Sequence, residues 1–458
     1  MVGVGRAPSR CPLQSMRRVR SRGASGIRDL SSRQWGGGVN AGVVSGLRGA
    51  DGTASHATAL RAMFDSVVII SPFVWQDMLQ TTDEIALEMA RCLPVVLIEP
   101  PPRWNMGSEQ FRGRRLLANL FGARTHSPQD GLTVFHGYSL PGGRYAPVRE
   151  WNRRRNAAAI RSLLRQLGFG RPLLWHSFPY GTEELMDAVR PKRFVYHCLD
   201  YTDQEEEAAL VRRADVVFAV SDVLVRRHRA LNPHTFLLPN GVNLKMFSAE
   251  AALGRPRPPD LPTAGRLIGY IGKIVCYLDI ELLLKVARSF PRDYLILIGP
   301  VMTNETAPRK AQADAWRTLA SLPNVRALGF RPPSQLAPYI HAFDACVIAN
   351  LPHRFNMERD PLKFYQYLAM GKPVVTTPVS AAQCHRGLCY LADSADSFMD
   401  GVARALGEAD AVGSEALRRA RMTVARQHSW ESLVAGACRI VLERGAREDP
   451  TCVASRPA

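Results

Sequence analysis

Leu267-Ile268-Gly269-Tyr270-Ile271-Gly272-Lys273-Ile274 is a short apolar run that empties into a Gly-Lys turn. A continuous apolar run closed by a turn signal is the pattern of a strand buried on both faces, and what surrounds it decides the architecture. Downstream, Tyr294 to Ile298, Val325 to Leu328, Ala345 to Ala349 and Pro373 to Thr376 repeat the rhythm, with longer amphipathic stretches between them. Upstream, the same alternation runs through Val67 to Ser71, Val95 to Glu99, Leu132 to Phe135, Leu173 to His176, Phe194 to His197 and Val216 to Val220, with a short strand on Phe236-Leu237-Leu238. Strands alternating with helical stretches predict α/β units with parallel sheets covered on both faces.

Two such series are separated by Ala251 to Thr263, crowded with Pro, Gly and Arg and lacking either periodicity, which reads as a linker. The expected organisation is a first Rossmann-like domain over 63–250, the linker over 251–263 and a second domain over 264–427. A C-terminal helix over 428–445, with Ser429 at its N-cap, would cross back to the first domain, and 446–458 would be a disordered tail. In open parallel sheets ligands bind beyond the carboxyl ends of the strands, so two facing sheets imply a cleft between domains.

The 458 residues carry 59 Lys and Arg against 41 Asp and Glu, a net charge of +18 that favours anionic partners. In residues 1–60 nine arginines face only Asp29 and Asp51, so the stretch 1–62 reads as a disordered extension, or as chain upstream of a start at Met63. No apolar run is long enough to cross a bilayer, which leaves a cytoplasmic protein, peripheral on the inner face of the plasma membrane at most. Arg112-Gly113-Arg114-Arg115 and Arg149 with Arg153-Arg154-Arg155 are either solvated helix faces or docking sites for anionic lipid. They lack the interleaved aromatics of a nucleic-acid surface, so nucleic acid is not an expected partner. The nine cysteines include no CxxC pair and show no zinc-ligand spacing.

Three stretches carry a family resemblance. They are Ala214-Asp215-Val216-Val217-Phe218-Ala219-Val220-Ser221 followed by Leu237-Leu238-Pro239-Asn240-Gly241-Val242-Asn243, the Gly272-Lys273 turn, and Glu358-Arg359-Asp360-Pro361-Leu362-Lys363-Phe364-Tyr365-Gln366-Tyr367-Leu368-Ala369-Met370-Gly371-Lys372-Pro373-Val374-Val375. Together they resemble family-4-type retaining glycosyltransferases, the glycosyl transferases group 1. Over 64–445 the order of motifs, with Ser71-Pro72-Phe73-Val74-Trp75 and Phe194 to Asp200, is similar to the branch that includes teichuronic-acid biosynthesis glycosyltransferases. The resemblance implies a GT-B fold and a hexosyltransferase-like enzyme. Such an enzyme moves a sugar from a nucleotide diphosphate sugar to a glycan or lipid acceptor, with retention and with neither metal nor other cofactor, as a step of cell-envelope polysaccharide biosynthesis.

By the same resemblance Glu358 contacts hydroxyls of the donor sugar, and Gln366 stands where the family offers a carboxylate to the ribose. An amide loses the charge-assisted strength of that bond. Gly272 and Lys273 would lie against the diphosphate, although the second lysine many members carry is missing between Val275 and Ile280. From the residues themselves, Asp360 can cap a helix that Pro361 opens, leaving the N–H groups at Leu362 and beyond, with Lys363, to receive the diphosphate. Asn240-Gly241 reads as a turn tolerating positive φ. His197 and Asp200, at the end of a strand, are expected to face the cleft and to line the catalytic gap with Glu358.

Rival readings are a catalytically silent nucleotide-sugar-binding or partner protein, favoured by Gln366, and a sugar-nucleotide epimerase on the same scaffold. The Gly-Lys turn is no P-loop, because the GxxxxGK[ST] spacing is absent and Ile274 stands where a magnesium-holding hydroxyl would be. No GxGxxG follows the first strand, which sets a dinucleotide oxidoreductase aside.

Overall fold

The computed structural model describes residues 53–75, 80–100, 124–140, 142, 145–177, 182–202, 205–301, 310–408, 411 and 413–446. The first sheet holds β1 (Ser66–Ile70), β2 (Val95–Ile98), β3 (Thr125–Gln129), β4 (Leu132–Phe135), β5 (Pro172–His176), β6 (Arg193–Cys198), β7 (Val216–Ala219) and β8 (Thr235–Leu237). Their order is β3-β4-β2-β1-β5-β6-β7-β8, parallel except for the edge strand β3, which runs antiparallel to β4. The second sheet is β11-β10-β9-β12-β13-β14, all parallel, from β9 (Leu267–Ile271), β10 (Tyr294–Ile298), β11 (Val325–Gly329), β12 (Ala345–Ile348), β13 (Val374–Thr376) and β14 (Tyr390–Leu391).

The apolar runs are strands because both sheet faces are covered. On β1 and β5, Val67, Ile69, Leu173 and Trp175 pack into one core, while Val68, Ile70 and Leu174 pack into the other. The first of these cores is closed by the helices Thr53–Met63, Thr81–Met89 and Trp430–Ala446. Trp430, Leu433, Val434, Ala437, Cys438 and Val441 recur at helical spacing and seat the last of these against the first sheet. Each large side chain buried there contributes roughly 1.5–3 kcal/mol. Ser429 Oγ accepts the N–H of Ser432 at 3.2 Å and opens that helix.

The segment expected to be without structure up to residue 62 is therefore cut short. Thr53–Met63 is a helix, with Leu60 fully buried in the first core, so that core recruits residues well before Met63. Residues 1–52 and 447–458, for which disorder is expected, lie outside the described residues.

Two crossings join the domains. The outgoing one passes Asn240-Gly241-Val242, and the return passes His428-Ser429-Trp430. Val242 donates its N–H to His428 O at 2.9 Å, and Trp430 donates to Val242 O at 3.3 Å, so the crossings lie side by side. Gly241 serves a different purpose from the expected one. Its φ is not positive; instead a Cβ there would meet Trp430 Cδ2 at 2.8 Å and His428 O at 2.9 Å, so the requirement is close approach of the returning chain. The Pro-rich stretch is packed rather than loose, since Leu261 is buried and Asp260 accepts from Tyr339 Oη at 2.9 Å and Arg331 Nη2 at 3.0 Å.

Candidate active site

The carboxyl ends of the strands meet at a cavity of about 280 Å³ between the domains. β9 delivers Gly272 and Lys273, β10 delivers Gly299 and Pro300, and β11 delivers Phe330 and Arg331. From the first domain come Phe73, Gln80, Glu84 and Asp200. Pro361, Leu362, Lys363 and Gln366, at the start of the helix Leu362–Ala369, complete the wall with Tyr277 and Arg359.

Gly272 and Gly299 are where β9 and β10 open towards the cavity, with φ of +129° and +147°. A Cβ on Gly299 would collide with the Gly272 carbonyl, and one on Gly272 would sit 2.6 Å from Lys363 Nζ. The lysine thus lies over the turn because the turn has no side chain. Lys363 Nζ donates to Tyr270 Oη at 2.9 Å and rests 4.0 Å from that ring's centroid. Burial, with the Arg359 charge adding to it, lowers its pKa to about 7. The N-terminus of Leu362–Ala369 has no side-chain cap. Its first N–H groups have no intrahelical partner, which suits an anion.

Of the residues expected on the donor side, Gly272, Lys273, Pro361, Leu362, Lys363 and Gln366 line this cavity. Asp360 does not, nor does it cap the helix, whose N-cap is Pro361. Its carboxylate instead accepts the Asn240 N–H at 2.6 Å and the Tyr365 hydroxyl at 3.1 Å, locking the outgoing crossing to the second domain. Burial raises its pKa to about 7 against those two bonds.

Among the residues expected to be catalytic, Asp200 lines the cavity, whereas Glu358 and His197 do not. Glu358 is buried beside it, with Oε1 accepting from Arg354 Nε at 2.6 Å and Oε2 without a partner among the described residues. His197 is sealed in the first core, edge-on to Trp175 and Phe218, on the sheet face that Trp430–Ala446 covers. Burial drives its pKa down to about 3, leaving a neutral ring with no path to substrate.

Arg359 and Glu84 are among the lining residues to which the sequence assigns no role. Arg359 donates from Nε to Asp200 Oδ1 at 3.0 Å across the cleft, its guanidinium lying over the rings of Tyr277 and Phe355. Nothing but its place between two residues with assigned roles marked it. Glu84, on the helix Thr81–Met89, accepts from Asn243 Nδ2 at 3.2 Å, and burial raises its carboxyl to about 7. In sequence it is one acid of an ordinary amphipathic helix.

Of the basic stretches, Arg112 to Arg115 lie outside the described residues. On the helix Ala146–Gln166, Arg153 and Arg154 pair with Glu150, and Arg155 lies over Tyr138 and Trp151. No helix among the described residues is long and apolar enough to cross a membrane.

Residues 265–408 match the family model described as glycosyl transferases group 1. The chain is 25% identical over 289 residues to TuaH of Bacillus subtilis (strain 168), described as a teichuronic acid biosynthesis glycosyltransferase, covering 57% of this chain and 70% of that protein. Sucrose-phosphate synthase (tll1590) from Thermosynechococcus elongatus superposes with a TM-score of 0.63 at 16% identity, covering 84% of this chain and all of that one. Anabaena Alr3699/HepE, solved with UDP and glucose, gives 0.57 at 14% identity, covering 83% of this chain and 99% of its own. The E. coli structure described as trehalose-6-phosphate bound with UDP-2-fluoro glucose gives 0.59 at 12% identity, covering 83% and 99%. Two facing α/β domains around a cleft, the second matching the glycosyl transferases group 1 over residues 265–408, make this chain a glycosyltransferase of the GT-B type.

Proposed function

We propose that the enzyme moves a sugar from a nucleoside diphosphate to a hydroxyl of a glycan or lipid-linked acceptor, with retention at the anomeric carbon and without a metal ion. The observation that carries this reading is the cluster of Gly272, Lys273, Lys363 and an uncapped helix N-terminus at one end of the cavity. Charge develops on the departing diphosphate as the bond from the anomeric carbon to its oxygen breaks. Fixed cations and N–H dipoles stabilise that charge in the place a magnesium ion would otherwise take. The acceptor hydroxyl attacks from the same face and passes its proton to the leaving oxygen. UDP is the first nucleotide to try, since the Anabaena protein was solved with it. The described function of TuaH points to a cell-envelope polysaccharide as acceptor, and Arg149, Arg154 and Trp151 offer a basic, aromatic face for the inner surface of the plasma membrane.

A thermal-shift panel of the full chain against UDP, GDP, ADP and TDP and their sugars, with chelator present, tests the donor site. A nucleotide at a hundred times its dissociation constant should stabilise the protein by about 2.7 kcal/mol. NMR of the product then reads the anomeric configuration. Retention is expected, and inversion would make Glu84, with its carboxyl near pH 7, the general base. Gln366 and the tie between Glu358 and Arg354 favour one second reading, a nucleotide-sugar binder that does not turn over. Binding without product would select it, while an epimerised nucleotide sugar as product would select an epimerase.

A further inference from the structure

We propose that Arg359 is a ligand of the donor diphosphate, held by Asp200 in the free protein and exchanged onto phosphate when the donor binds. The proposal rests on the nucleotide-sugar reading above. Arg359 and Asp200 both line the cavity that Lys273 and Lys363 line. The arginine comes from the second domain, immediately before the helix whose N-terminus points there, and its partner lies across the cleft in the first domain.

Charge and geometry both favour exchange. Four basic side chains, Lys273, Arg331, Arg359 and Lys363, line the cavity against two carboxyls, Asp200 and Glu84, the latter raised to about 7 by burial, and Lys363 rests on the neutral hydroxyl of Tyr270. A surplus of positive charge in a partly enclosed cleft attracts a multiply charged anion. Asp200 engages the guanidinium at Nε through Oδ1 alone, whereas a phosphate can take two parallel N–H bonds from the fork. The Tyr277 and Phe355 rings, 4.6 Å and 5.0 Å from the guanidinium carbon, hold its plane while its edge changes partner. Arg359 would thereby supply the second positive charge that the stretch from Val275 to Ile280 lacks. Exchange also undoes an ion pair between the domains and releases the Asp200 carboxylate towards the acceptor.

The test is calorimetric titration of the full chain with inorganic pyrophosphate, UDP and uridine, for the wild type, Arg359→Ala, Arg359→Lys and Asp200→Asn. Arg359→Ala should weaken pyrophosphate and UDP about tenfold or more. Arg359→Lys should recover part of that loss, and uridine should be unaffected by either change. Asp200→Asn should tighten pyrophosphate several-fold, because the competing anion is gone. Pyrophosphate bound equally by Arg359→Ala and the wild type overturns the proposal and leaves the functional reading standing. Weaker binding by Asp200→Asn overturns the exchange and makes the pair a plain structural tie. A wild-type protein that binds none of the three probes removes the nucleotide reading, and this proposal with it.

Discussion

Two arginine–carboxylate pairs in this protein share their chemistry and differ in burial, in bonding geometry and in the domains they join. Arg421 and Glu408 are buried, their side chains 1% and 8% exposed, and each guanidinium Nη atom donates to one carboxylate oxygen, Nη1 to Oε1 and Nη2 to Oε2. Arg421 Nε donates to Leu388 O at 2.8 Å and Tyr390 Oη donates to Glu408 at 2.8 Å, so the network is closed within the second domain. Arg359 and Asp200 are 25% and 39% exposed, share one oxygen and span two domains. The closed pair can only hold structure together, because any exchange would strand a buried charge. The open pair can change partners at small cost, since partly exposed ion pairs are worth about 1 kcal/mol or less.

The largest effect is expected at the closed pair. Arg421→Met leaves Glu408 buried and unpaired, and should lower unfolding free energy in urea by about 3–5 kcal/mol, with nucleotide affinity of the folded fraction unchanged. A loss of affinity at full stability would erase the distinction between the pairs.

Lys363→Met should act the opposite way, weakening UDP-glucose by about ten- to a hundredfold without lowering stability. Because Lys363 gives up its proton near pH 7 in the free protein, far below the lysine value of 10.5, and a bound diphosphate favours the ammonium, wild-type affinity should fall as pH rises past about 7. The variant should lack that slope. Stability follows the reverse sign. Between about pH 7 and 10.5 the unfolded chain binds more protons at this group than the folded one, so its contribution to unligated stability improves as pH rises. Titrations at several pH values beside urea melts read both.

The smallest effect belongs to Gln366→Glu, which replaces a neutral acceptor with a charged one at the cavity wall. UDP affinity should rise by about 1 kcal/mol, roughly fivefold, and 2′-deoxy-UDP should gain less. Equal gains for both would place Gln366 away from the ribose.

The parallel strands were legible because strands buried on both faces read as unbroken apolar runs, as at Leu267–Ile271 and Tyr294–Ile298. β3, the sequence Thr-His-Ser-Pro-Gln, was not: it is an exposed edge strand containing proline, without the alternation that marks a half-buried one. β14 is two residues long and has no pattern to read. Of the site, the stretches ending at Lys273 and opening at Pro361 were legible because turn and cap chemistry is local. His197 was misplaced because a strand's sequence shows alternation but not which face a distant helix covers, here Trp430–Ala446. Asp360 was misassigned for a related reason, since its partner Asn240 lies 120 positions away. Glu358 is held by Arg354, four residues earlier on one turn of helix, a pairing open to sequence but outweighed by the family pattern.

Because Val242 is hydrogen-bonded to both His428 and Trp430, the outgoing and returning chains form one zipped stalk. The second domain therefore hangs on a single axle rather than on two separate tethers. A rotation about that axle would change the width of the cavity, whereas twist or shear would have to slide one strand of the stalk past the other. Asn240, bound to Thr81 on one side and Asp360 on the other, ties that stalk to both domains.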